Sequence, residues 1–360
     1  MTPLTITAIR TRSLIAPLIR PVTTASGTIP AAPLVVIDLE TKEGVVGRSY
    51  LFTYTPLSMR PLAQLIDNIS ETLIGKSVEP VARMAQMEHT FRLLGRQGLV
   101  AMAIAGLDMA LWDASAKAHD MSVARMLGGT HDPIPCYDSH GIIDPAHGMA
   151  AIEGSLAQGF RAIKVKVGGA LLQTDVDTLK SVREVIGPDV RLMIDYNQSL
   201  TVPEAIRRIT RLEDEGIDLD WVEEPVGAED FVGHRAVRAN VRTSIQTGEN
   251  WWMPDDAARA IQADISDQVM IDIMKIGGVT GWQRAAPLAQ AASLPISSHI
   301  FVEASAHVLS VTPNTYLLEY LDIAGAIQID PPQIIDGMLA PQGPGLGMTW
   351  DEAAIKRYQG

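Results

Sequence analysis

The sequence predicts an α+β domain followed by a (β/α) barrel, and three features lead there. Residues 1–50 are strand-like and residues 57–118 helix-like, without alternation between the two kinds. From Pro133 onward, short apolar runs alternate with amphipathic segments of helix length. So many βαβ units in succession fit a barrel better than an open sheet. A reactive polar residue also stands at or just past the end of each run, and barrel active sites lie at the C-terminal ends of the strands.

In chain order, residues 5–18 are β-rich and 34–39 form a second run, after which Lys42-Glu43-Gly44 turns the chain into Val45-Val46-Gly47. Residues 20–32, rich in Pro, Thr, Ser and Gly, read as a loop. Past Tyr54-Thr55-Pro56 the apolar spacing becomes three and four, over 57–74, 81–94 and 99–118. This first domain is expected to fill residues 1–130. Barrel strands are expected at 134–137, 162–167, 190–194, 220–222, 244–246, 268–271 and 295–297, within a domain of residues 131–323. The Pro- and Gly-rich tail, 324–360, is expected to pack back onto the first domain.

Composition narrows the function. A formal charge of −13 over 360 residues argues against nucleic-acid or anionic-membrane partners. Cys136 is the single cysteine, so no internal disulfide forms and a reducing compartment suits the chain. The N-terminus lacks a basic segment followed by an apolar core, and no run nears ~18 uninterrupted apolar residues. A soluble, cytoplasmic protein is expected.

Within the strand Arg161-Ala162-Ile163-Lys164-Val165-Lys166-Val167, the two lysines share a face. Held side by side and partly buried, their ammonium groups are expected to depress each other's pKa, making a base near pH 7. The competing reading is an exposed edge strand whose lysines deter aggregation. The strand-end residues decide between them: Ser139, Lys166, Asp195, Glu223, Glu249, Asp272 and His299, with Glu319 after a further helical segment. Asp195, Glu223 and Glu249 end three successive strands, and converging carboxylates call for a divalent cation. All-oxygen ligands favour Mg²⁺, with Mn²⁺ as the alternative. Asn197 shares the face of Asp195 if the chain stays extended, whereas Glu224 faces away. Asp272 would fix the tautomer of His299 and raise its basicity.

Lys166 and His299 would then approach a bound ligand from opposite sides, which suits racemisation or epimerisation, or β-elimination. A positioned base supplies only ~10²–10⁴-fold, so a cation, Lys164 and an acidic donor such as Glu319 must share the work. Glu319 can donate only if burial among Leu317, Leu318 and Leu321 keeps it protonated.

Lys164-Val165-Lys166, Asp195-Tyr196-Asn197, Glu223-Glu224-Pro225, Gly248-Glu249-Asn250, Asp272 with Met274-Lys275-Ile276-Gly277-Gly278, and Ser298-His299 together resemble the enolase superfamily, and within it the mandelate racemase subgroup. The similarity extends over nearly the whole chain, and a Lys or His base with Mg²⁺ is the general pattern of that superfamily. The resemblance implies a modified TIM barrel, (β/α)7β, under an α+β capping domain formed by the N-terminal part and the tail. It implies Lys166 as base for the S enantiomer, and His299 with Asp272 as base for the R enantiomer. It further implies Mg²⁺ on Asp195, Glu223 and Glu249, and Glu319 as donor to an enediolate. Lys164, Ser139 and Asn197 would hold the substrate. Val22, Ile29, Phe52 and Tyr54 of the cap would enclose an aryl group, whereas Ser26, Arg20 and Thr23 add polarity that suits a sugar acid. The expected function is racemisation of a mandelate-like 2-hydroxy carboxylate by a homo-oligomer. Acid-sugar dehydration is the alternative, and a carboxylate-binding barrel without turnover, or a phosphate site at Gly277-Gly278, are the distant ones.

Overall fold

A computed structural model of the chain describes residues 4–24, 27–144 and 148–359. Ser26 lies outside the described residues. Strands β1 (Ile6–Thr24), β2 (Gly27–Thr41) and β3 (Val46–Phe52) form an antiparallel meander. The loop expected at 20–32 is instead the tip of the β1–β2 hairpin, paired out to Thr24 and Gly27. Val22, Thr23, Thr28 and Ile29 suit a pleated ladder. Pro21 and Pro30, which have no N–H to give, fall in the interval where pairing lapses between Pro17/Ala31 and Val22/Ile29.

Helices Met59–Glu71 and Leu99–Ala118 back this sheet, and Pro80–Thr90 packs on the second of them. Helix Leu99–Ala118 is apolar on all sides and 78% buried over its most hydrophobic stretch. It lies between the meander and the barrel helix Gly278–Ala291, so both of its faces need apolar side chains. Its two buried acids stitch the units together. Asp113 accepts from the backbone N–H groups of Arg48 (2.7 Å) and Leu346 (2.6 Å). Asp108 accepts from Thr280 N (2.9 Å) and Oγ1 (2.6 Å) at the start of the barrel helix.

Burial pushes the Asp108 carboxyl up to about 7, against the opposing Thr280 hydrogen bonds. A raised acid contributes stability that is complete below its unfolded value near 4 and lost as pH rises through 7. An asparagine in its place would still accept from Thr280 N, would donate from Nδ2 to Thr280 Oγ1, and would not ionise. The stability of wild type relative to Asp108→Asn is therefore expected to fall by roughly 2–4 kcal/mol between pH 4 and 8, read by denaturant unfolding. A flat difference across that range would refute it.

All seven runs expected as barrel strands form them: β4 (Ile134–Ile142), β5 (Ala162–Lys166), β6 (Arg191–Asp195), β7 (Trp221–Glu223), β8 (Ile245–Thr247), β9 (Gln268–Asp272) and β10 (Ile296–His299). An eighth, β11 (Leu318–Tyr320), pairs with β4, giving the parallel order β10-β9-β8-β7-β6-β5-β4-β11. Hydrogen bonds from Tyr316 N to Ile296 O (2.7 Å) and from Ser298 N to Leu317 O (3.2 Å) join β10 to the approach of β11 and close the ring. Inside it, Tyr137, Ala162, Met193, Trp221, Met270 and Leu317 pack as an apolar plug beneath the strand ends. In the tail, β12 (Met338–Leu339) pairs with β4, and helix Glu352–Tyr358 lies on β1, where Arg12 meets Glu352 at 2.5 Å. The tail thus touches barrel and cap.

Candidate active site

The parallel register brings the expected groups together at the C-terminal end of the barrel, with Ser139 and Lys164 one step below Lys166, Asp195 and Glu223. Lys166 pairs with Asp195, Asp195 with Glu223, His299 with Asp272, and Ser139 with Lys164. Asp195, Glu223 and Glu249 each direct one oxygen into a common space, all within 4.8 Å of one another. Glu223 is fully buried, and among the described residues its Oε1 has no hydrogen-bond partner. A buried, unpartnered carboxylate oxygen beside two further carboxylates is a donor set that fits a hard, oxygen-seeking cation.

The lysine expectation is overturned in one respect. Lys164 and Lys166 do share a face, and the neighbouring ammonium does push Lys166 down, but neither pKa is lowered overall. Burial depresses both, yet facing carboxylates outweigh it and raise them. Lys164 Nζ lies 2.7 Å from Glu223 Oε2 and 2.8 Å from Glu319 Oε1, and Lys166 Nζ lies 2.5 Å from Asp195 Oδ2. Pairing two lysines in the sequence ignored the acids that the fold brings opposite them. A cation held by Asp195, Glu223 and Glu249 would offset that negative charge and lower both lysines.

Glu319 requires a second correction. It is a strand residue, 2% exposed, and burial does push its carboxyl up. Lys164, His299 and the Ile300 N–H (3.0 Å) outweigh that and hold it below the usual carboxylate range, against the protonated form expected from burial alone. Asn197 requires a third. Its φ of 45° ends the extended chain, so it turns back. Its backbone N–H and Nδ2 donate to Asp195 at 2.6 and 2.8 Å, fixing that carboxylate.

His299 Nδ1 lies 2.6 Å from Asp272 Oδ2, while Nε2 faces Glu249 Oε2 at 3.2 Å. Asp272 is itself held by the backbone N–H groups of Met274 (2.7 Å) and Lys275 (3.0 Å). Burial lowers the imidazole pKa, but Glu249, Asp272 and Glu319 raise it overall. Around the ring, β5 and β10 are separated by β4 and β11 on one side and by β6 to β9 on the other. Lys166 and His299 therefore stand across the barrel mouth from each other.

The cap supplies the roof. Val22 is buried and paired with half-buried Ile29, and Phe52 is buried against Tyr54, their rings 4.6 Å apart. Tyr54 has a left-handed φ of 57° and stays 40% exposed. The guanidinium of Arg20 is not free for substrate: it forks onto Asp138 at 2.9 and 2.5 Å and donates to Ser139 O at 2.9 Å. Ser139 itself is buried on β4. The hairpin tip sits directly on the end of β4, where a Cβ at Gly141 would come within 2.5 Å of Thr23 N and 2.6 Å of its O. Gly141→Ala is expected to cost about 1–3 kcal/mol and to raise KM, because backbone must move in the roof. Unchanged stability and KM would show that the tip does not seat there.

Half-buried Asn250 and buried Lys275 and Glu224 form a polar cluster at the mouth that the sequence did not join together. Asn250 Nδ2 donates to Glu224 Oε2 (2.7 Å) and Glu249 Oε1 (3.0 Å), and Lys275 Nζ donates to Asn250 Oδ1 (2.6 Å). Glu224, expected to face away from the triad, does stay out of it, but it is buried. Burial and Glu249 push its carboxyl up to about 8. Asn250 and Lys275 stood inside the quoted motifs, so position was legible while partnership was not.

Two family models match the chain: the mandelate racemase/muconate lactonizing enzyme N-terminal domain over residues 6–128, and the enolase C-terminal domain-like model over residues 149–354. The chain is a member of the enolase superfamily. An enolase from Bradyrhizobium, crystallised with magnesium and mandelic acid, is 50% identical to this superfamily member, with a TM-score of 0.97 over 100% of this chain and 99% of that one. A 3,6-anhydro-α-L-galactonate cycloisomerase of Streptomyces coelicolor is 30% identical over 90% of this chain and 91% of its own. An L-talarate dehydratase from Polaromonas, crystallised with Mg and L-glucarate, is 27% identical, with a TM-score of 0.89 over 99% and 98% of the two chains. Isomerases and dehydratases thus both stand among the relatives of this enolase-superfamily enzyme.

Proposed function

We propose that the enzyme is a Mg²⁺-dependent racemase of a mandelate-like 2-hydroxy carboxylate. The observation that carries this is the opposed pair of proton carriers, Lys166 and the His299–Asp272 dyad, on either side of one carboxylate triad. Asp195, Glu223 and Glu249 would hold the magnesium. When bound, the cation supplies charge against the second negative charge that grows on the substrate carboxylate as its α-proton leaves.

The chain's own residues do the rest. Lys166 takes the α-proton from one face and His299 returns one to the other, or the reverse, through an enediolate. Asp272 holds His299 with Nε2 as the proton-carrying atom. Lys164, anchored between Glu223 and Glu319, presents fixed positive charge to the substrate carboxylate, with Ser139 beside it. Glu319 acts through this ion pair and serves as a donor only if substrate binding returns a proton to it. Val22, Ile29, Phe52 and Tyr54 favour an aryl group, and the engagement of Arg20 with Asp138 removes one reason to expect a sugar acid. The mandelic acid in the 50%-identical Bradyrhizobium protein points the same way.

The second reading, acid-sugar dehydration, is favoured by the glucarate-bound Polaromonas dehydratase. Incubation in D₂O with Mg²⁺ separates the two. Both mandelate enantiomers are expected to exchange the α-proton and interconvert. Inert mandelate together with 2-keto acid release from a sugar-acid panel would replace racemase by dehydratase.

A further inference from the structure

The loop after β9 carries a cation with an unusual setting. Lys275 is 4% exposed, and among the described residues no carboxylate oxygen lies within 4.0 Å of its ammonium. Its Nζ donates to Asn250 Oδ1 at 2.6 Å and lies 4.7 Å from the ring centre of Tyr54 and 5.7 Å from that of Trp252. Its backbone is committed as well: Lys275 N donates to Asp272 Oδ1 (3.0 Å), and Lys275 O accepts from Met253 N (3.0 Å).

One side chain therefore meets three loops with different tasks. The Tyr54 loop belongs to the cap. The Asn250 loop holds Glu249 through Asn250 Nδ2. The third, its own, positions Asp272 and hence His299. An ammonium this buried is retained where its environment repays the lost hydration. Here the repayment comes from two aromatic faces and an amide oxygen, together with the charge of Glu249 and Glu224 beyond contact distance, and a cation–π contact strengthens as water is excluded from it. The contact exists only while the cap loop is seated, because Tyr54 is still 40% exposed and rests on Phe52 and this ammonium.

We propose that Lys275 is a positioning residue that clamps the cap loop carrying Tyr54 to the strand-end loop carrying Asn250 and Glu249. Seating of the roof and alignment of a metal-ligand loop then become one event, and each side must stabilise the other equally. The kinetic part rests on the racemase reading; the clamp itself does not.

The test is amide hydrogen exchange on the substrate-free enzyme, comparing wild type with Lys275→Met, which keeps the stem, and Lys275→Arg, which keeps the cation. Lys275→Met is expected to speed exchange about tenfold or more over residues 51–57 and 249–253 and nowhere else, with Lys275→Arg close to wild type. Its kcat/KM should fall by roughly 10–100-fold, again recovered in part by arginine. Unchanged exchange in both segments, or a uniform increase over the whole chain, would overturn the clamp. If Lys275→Met does not fold, Tyr54→Leu reads the same contact from the other end. Faster exchange over 249–253 supports it, and no change there overturns it. Mandelate proving inert would sink the racemase reading and leave the exchange result standing.

Discussion

Replacing Lys166 by alanine is expected to stop α-proton exchange from one mandelate enantiomer while leaving exchange from the other, and His299→Ala is expected to do the opposite. The resemblance to the superfamily assigns the S enantiomer to Lys166 and the R enantiomer to His299. Each loss should reach about 10²–10⁴-fold, the usual worth of a positioned base, and overall racemisation should fall by at least as much in both variants because it needs both groups. Asp272→Asn should resemble His299→Ala, since Asp272 Oδ2 is what Nδ1 meets at 2.6 Å. Exchange is read by NMR in D₂O, and circular dichroism confirms that each variant is folded. Equal loss of both exchanges in a folded single variant would mean that one group serves both faces, and the two-base mechanism would fall.

The second large effect concerns the acid triad. Chelation should abolish turnover and added Mg²⁺ should restore it. The binding also has a readout that needs no substrate. A ligand at ~100 times its dissociation constant stabilises the folded state by about 2.7 kcal/mol, so wild type should melt higher as Mg²⁺ is added. Glu223→Gln should lose that response, because Glu223 is one of the three acids whose oxygens meet within 4.8 Å, and its Oε1 has no hydrogen-bond partner among the described residues. A full magnesium-dependent shift in Glu223→Gln would place the cation elsewhere.

What the sequence made legible was mostly periodicity and position. Seven strands were visible because each parallel strand is a short apolar run with a helix behind it, and the strand-end rule then named Asp195, Glu223, Glu249, Asp272 and His299. The hairpin tip was hidden by Pro21 and Pro30, whose turn-like composition masks a ladder that merely pauses around them. Strand β11, no shorter than β7 and β8, was hidden because Leu317, Leu318 and Leu321 also fit one face of a helix. The charge states of Lys164, Lys166 and Glu319 were misjudged for one physical reason. A pKa depends on every charge within several ångströms, and neighbours in sequence supply only some of them. Glu319 lies 155 positions from Lys164 and yet 2.8 Å from its nitrogen.

The closure of the ring by β11 also bears on how the molecule is made. A growing chain can lay β4 to β10 side by side as an open sheet, but its two outer strands stay bare until Leu318–Tyr320 emerges and slots between them. Those strands offer unsatisfied amides to any passing partner in the meantime. Glu319 rides on the keystone, so the ion pair that anchors Lys164 and the neighbour of His299 arrive together, late in synthesis. A nascent chain stalled short of that point would carry Lys166 and His299 and no finished cavity around them.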